Sequence, residues 1–131
     1  MDLSDILSNI ADQDRGRELE LVDPVTGKPT GIKLWIVGPD SKTAHDARIA
    51  MSEELIDRTR SDGTVSAGDR ERARIGCLAR LVQRWEILEN GQPVPFNHRN
   101  VVRVLSAGTW IQAQVDAFAA DRSAFRSGSA Q

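Results

Sequence analysis

Ser41, His45 and Asp46 stand close together in "GPDSKTAHDA", and serine, histidine and carboxylate are the parts of a hydrolytic trio in which imidazole takes the hydroxyl proton. That chemistry needs the serine on a strained turn of the G-x-S-x-G kind, and no such turn surrounds Ser41. Its place after Gly38-Pro39 and before a helical pattern is that of a capping residue. The second histidine, His98, falls in the first turn of a later helix, where a solvated side chain is expected. Cys77, the one cysteine, sits among apolar residues with no lysine or histidine nearby to lower its pKa, so it reads as a small buried hydrophobe. A lone cysteine forms no internal disulfide and suits a reducing compartment. The chain has no phosphate-binding glycine loop, no dinucleotide fingerprint, no H-E-x-x-H and no cysteine pair at zinc spacing. These residues lead us to expect no enzyme, no cofactor and no metal.

The remaining chemical hint is the arginine series Arg70, Arg72, Arg74, Arg80 and Arg84. Asp69, Glu71 and Glu86 are interleaved with it, as on a solvated helix face laced with ion pairs. Seventeen basic against nineteen acidic side chains leave a net charge of -2, without the positive excess that drives phosphate binding. Nucleic acid is not an expected partner. The start, "MDLSDILSNI", is acidic where a secretion signal is basic, and no apolar run approaches the ~20 residues that span a bilayer. The expectation is a soluble intracellular protein without membrane contact.

The elements that position these side chains follow from periodicity. A chain of 131 residues, 40% hydrophobic, holds one modest core. Leu3, Ile6, Leu7 and Ile10 recur at helical spacing and place an amphipathic helix in residues 1–16. Alternation in "RELELV" and "IKLWIV" around the turn formers of "DPVTGKPTG" predicts a β-hairpin over 17–38. Its apolar face is Leu19, Leu21, Ile32, Leu34 and Ile36, and Trp35 lies on the other face. Helices are expected at about 42–60, 67–89, 98–107 and 110–125, with Asp40 or Ser41, Ser66, Asn97 and Thr109 as N-caps. The second of these carries the clearest stripe, Ile75, Leu78, Leu81, Val82 and Trp85, and ends at Asn90-Gly91, a pair suited to a left-handed cap or a tight turn. Pro93 and Pro95 then make a corner from which Val94 and Phe96 plug the gap between two helices. Residues 17–126 thus form a single α+β domain, mostly helical, with the N-terminal hairpin packed against a bundle of about four helices. Residues 127–131 are expected to be a flexible tail.

"DPVTGKPTGIKLWIVGPDS", "RWEILENGQPVPFNHRNVVRVL" and "WIQAQVDAFAADRSAF" together resemble the small tail assembly chaperones of siphovirus-like tailed bacteriophages and prophages, over Glu18 to Phe125. The resemblance implies a non-enzymatic protein of the host cytoplasm, absent from the finished virion. Such chaperones coat the tape measure protein and hand it over as tail tube subunits polymerise around it. The shared positions Trp85, Asn90, Gly91, Pro93, Pro95, Phe96, Asn97, Asp121, Arg122 and Phe125 read as architectural. The expected contact residues for a tape measure helix are the apolar stripe Leu3, Ile6, Leu7 and Ile10, followed by Trp110 and Phe118. A homo-oligomer is compatible with this reading. The alternatives are a small nucleic-acid-binding regulatory protein and a head-tail connector or minor tail protein that stays in the particle.

Overall fold

The computed structural model describes residues 1–126, so the expected tail at 127–131 lies outside the described residues. The class is α+β, as the periodicities predict. In chain order, α1 (Leu3–Gln13) leads into β1 (Arg17–Val22) and β2 (Pro29–Ile36). Then come α2 (Lys42–Asp57), α3 (Ala67–Arg80), β3 (Val82–Glu86), a small hairpin of β4 (Leu88–Glu89) and β5 (Gln92–Pro93), α4 (His98–Ser106) and α5 (Thr109–Ala120). A 3-10 turn, Arg122–Phe125, follows α5.

The main correction concerns residues 81–89, expected as the end of a helix. The third helix stops at Arg80, and Val82–Glu86 is a strand that pairs antiparallel with β2, giving a three-stranded sheet in the order β1-β2-β3. Val82 and Trp85 fit a helical stripe by spacing. They fit a bulged strand equally, since the register slips between the Trp35 and Ile36 pairings so that Ile36 meets Val82 while Leu34 meets Trp85. Long-range pairing decides: as a helix, this segment leaves the second edge of β2 without backbone partners, whereas as a strand it satisfies that edge and buries Val82.

Asn90 and Gly91 have left-handed φ values of 52° and 78°. They are the two central residues of the β4–β5 hairpin, the geometry Asn-Gly favours, and not a helix cap. The corner is held by Trp85, whose indole N–H donates to the Val94 carbonyl at 2.9 Å and whose ring meets Phe96 edge-on at 5.3 Å. Val94 is buried as expected; Phe96 is exposed and covers Trp85 instead of filling a gap between helices.

Ser41, Ser66 and Asn97 cap α2, α3 and α4 by accepting from Ala44 N, Asp69 N and Asn100 N. Thr109 is not a cap: Gly108 holds that position without a side-chain bond. The last helix ends at Ala120 and not 125, and Phe125 reaches the core from the 3-10 turn, fully buried. Leu21, Leu34 and Ile36 of the sheet pack with Ile75 and Leu78 of α3, Val101 and Leu105 of α4, and Ile111 and Val115 of α5. On the opposite sheet face the Arg84 guanidinium lies 4.7 Å from the centre of the Trp35 ring, which explains a tryptophan outside the core. The free edge of β1 is closed at one end by Gln114 of α5, which donates to Val22 O and accepts from Val22 N.

Leu105 is 1% exposed in this core. Leu105→Ala is expected to lower unfolding free energy by about 2–5 kcal/mol in urea denaturation.

Candidate docking surface

α1 begins with a capping box. Asp2 accepts from Ser4 N at 2.8 Å, and the Asp5 carboxylate accepts from Asp2 N at 2.8 Å, so both orphan amides are satisfied by an acidic first turn. The helix is attached mainly by its other end. Gln13 is 1% exposed: its carboxamide donates to Asn9 Oδ1 and accepts from Asp40 N, each at 2.8 Å, while its backbone carbonyl accepts from Gly38 N at 3.0 Å. Asn9 donates to the Phe125 carbonyl at 3.0 Å, and Asp12 pairs with Arg17. Asp14 accepts from Lys42 N and Thr43 N, each at 3.0 Å, so the end of α1 also caps the start of α2. Partial burial works against the charged form of Asp14. The Thr43 and Lys42 hydrogen bonds and the Lys42 charge outweigh it and hold the carboxyl below its ordinary pKa.

This polar attachment leaves the apolar stripe largely uncovered. Leu3 is 66% exposed, Ile6 45% and Leu7 56%, while Ile10, nearest the anchored end, is half-buried. The other expected contact residues are placed differently. Trp110 and Phe118 of α5 are half-buried against the core, and Phe118 meets Phe125 at 5.3 Å between ring centres. They belong to the domain's own packing, and the structure does not join them to the α1 stripe as one surface. The exposed Val25 and Leu88 sit in the hairpin turn and on the small hairpin, and Ile49 and Ile56 stand apart on α2. Among the described residues, α1 gathers the longest exposed apolar stripe on one helix.

Between α1, the start of α2 and the 3-10 turn runs an open groove of about 1160 Å³. Ile6 and Ile10 are the apolar part of its α1 wall, beside Asp5, Ser8 and Asn9; Lys42, Arg48, Arg122 and Arg126 form a cationic one. Arg122 is held by a two-pronged bond to Asp40 at 2.8 and 2.9 Å, which in turn depresses the Asp40 pKa. Arg48 donates to the Pro39 carbonyl at 3.2 Å, and Lys42 pairs with Asp46 at 2.7 Å. Sequence reading missed this wall because its members come from segments far apart in the chain.

Ser41, buried, donates to the Gly38 carbonyl and accepts from Ala44 N, while His45 and Asp46 are exposed on α2. The serine hydroxyl is therefore engaged as a cap, and the trio is not assembled. Cys77 is half-buried rather than buried, and even that pushes its thiol up from its ordinary pKa, away from thiolate reactivity. Arg72 and Arg74 of α3 pair with Asp69 and Glu71 three residues earlier. No helix among the described residues is long and apolar enough to cross a membrane. The described residues also contain no group of three or more His, Cys, Asp or Glu placed to hold a metal ion. Comparison of the chain with protein-family models, curated proteins and solved structures returned no match.

Gly38 has no room for a side chain: a Cβ there would lie 2.8 Å from Gln13 Cβ and 2.7 Å from its Cγ. Gly38→Ala is expected to loosen α1, raising hydrogen exchange at its amides at least tenfold while the amides of β2 stay protected. Asp14→Ala removes a cap and is expected to cost about 0.5–2 kcal/mol at neutral pH. Because the folded-state pKa of Asp14 is depressed, its contribution is complete above the unfolded value of about 3.9 and is lost as pH falls through the lower folded one. Wild type and variant should therefore converge in stability as pH falls below the folded-state pKa of Asp14, as read by thermal melts across pH.

Proposed function

We propose that this protein is a phage tail assembly chaperone that binds and solubilises the tape measure protein in the cytoplasm of the host bacterium and helps recruit tail tube subunits, without catalysing a reaction. The observation that carries the reading is the α1 stripe: a helix anchored at one end through polar bonds, with Leu3, Ile6 and Leu7 open to solvent. The resemblance of the hairpin, the Trp85–Leu105 region and the C-terminal helix to such chaperones supports the same conclusion.

The physical mechanism is shielding. A tape measure helix laid along the stripe buries apolar area on both sides at about 25 cal/mol per Å². The anchored end has already met much of the cost of ordering α1, so less of that gain is lost on binding. Ile10 and the cationic wall of the groove flank the stripe and orient what docks there. Of the alternatives, a nucleic-acid-binding role is weakened by α3, where Arg72 and Arg74 are paired within their own helix.

Co-expression with the tape measure protein tests this. The wild-type chain is expected to keep that protein soluble and to co-purify with it. Leu3→Asp with Leu7→Asp is expected to abolish both effects while leaving the melting temperature of the chaperone within a few degrees. A wild-type chain that leaves the tape measure protein insoluble, or that is retained in purified mature particles, contradicts the proposal; retention favours the connector or minor tail reading.

A further inference from the structure

The groove beside α1 has the size and chemistry of a site for one more helix. Its volume of about 1160 Å³ is of the same order as a three-turn helix about 16 Å long and 10 Å across. One wall is apolar at Ile6 and Ile10. Among the lining residues the cations Lys42, Arg48, Arg122 and Arg126 outnumber the carboxylates Asp5 and Asp40, in a chain whose net charge is negative. The complementary occupant is therefore a short helix with an apolar stripe and carboxylates at one end. α1 is such a helix: eleven residues, an exposed stripe and Asp2 and Asp5 at its start, while Asp12 and Asp14 at its other end are already engaged by Arg17 and by the first amides of α2.

We propose that the groove is filled by α1 of a second copy of this chain, giving a two-fold dimer in which the two α1 helices lie antiparallel. The direction follows from charge. The anchored C-terminal end of each α1 abuts the start of α2, where Gln13 meets Asp40 and Asp14 meets Lys42. The visiting helix brings Asp2 and Asp5 to that cationic end only if it runs the opposite way. Two-fold symmetry then makes both contacts identical, and Ile6 and Ile10, the part of each stripe that lines the groove, face their counterparts. Each copy contributes little more than one short helix, well below the ~800 Å² per partner of a standard interface, so the dimer is weak and exchanges readily. A client helix of the same chemistry competes with it. The dimer does not depend on the chaperone reading, and its test uses this chain alone.

Analytical ultracentrifugation of the purified full chain is expected to show a monomer–dimer equilibrium with a Kd on the order of 10 μM to 1 mM. Ile6→Glu and Arg48→Glu should each weaken it at least tenfold, with unchanged far-UV circular dichroism. High salt should weaken it as well. In a Cys77→Ser background, Ser8→Cys at the middle of α1 should cross-link to its symmetry mate under mild oxidation, and Ser4→Cys near the helix start should not. A chain that stays monomeric to 2 mM overturns the proposal. So does a dimer indifferent to both substitutions, or one in which Ser4→Cys cross-links as readily as Ser8→Cys, the mark of a parallel pair.

Discussion

The side chain of Gln13 is buried at the end of a helix whose other half stands in solvent. Its carboxamide is satisfied by Asn9 and by the Asp40 amide, and its backbone carbonyl by the Gly38 amide. Leaving a buried amide without these partners costs about 1–3 kcal/mol, so the helix end cannot drift without a penalty comparable to its other contacts. Gly38 completes the constraint, since any side chain there collides with Gln13. Polar anchoring at one end is what allows the apolar stripe to remain uncovered. A helix tied down by its stripe would have none to offer.

The domain beneath is organised around β2, paired on both edges and covered on one face by α3, α4 and α5. The α+β class, the start of each long helix and the apolar face of the hairpin were legible because each rests on a local pattern: alternation for the strands, a cap followed by helical spacing for the helices. Residues 81–89 were not legible. Leu81, Val82 and Trp85 continue the α3 stripe at helical spacing, and what stops the helix is the open edge of β2, a partner nearly fifty residues away. Asn90-Gly91 suits a left-handed helix cap or a tight turn, and only the strands on either side of it decide for the hairpin turn. Trp35 made sense only once β3 brought Arg84 beside it.

Legibility of the candidate site divides in a similar way. The α1 stripe is a local pattern, and three of its four residues are exposed. Trp110 and Phe118 show the limit of spacing alone, because an apolar stripe does not say whether the rest of the chain already covers it; the buried Phe125 and the sheet do so here. The cationic wall had no sequence signal, since Lys42 and Arg48 meet Arg122 and Arg126 only through the path of the 3-10 turn across the start of α2. Gln13 gave a faint one, as a polar residue one turn beyond the last isoleucine of the stripe.

α1 is held by its end and open along its stripe. Methyl NMR of the dilute, monomeric chain with a soluble paramagnetic probe measures this residue by residue. Leu3, Ile6 and Leu7 are expected to broaden as strongly as the exposed Ile56, while Leu34 and Leu105 stay sharp and Ile10 falls between. Leu3, Ile6 and Leu7 protected to the level of Leu34 at the same dilution would contradict it.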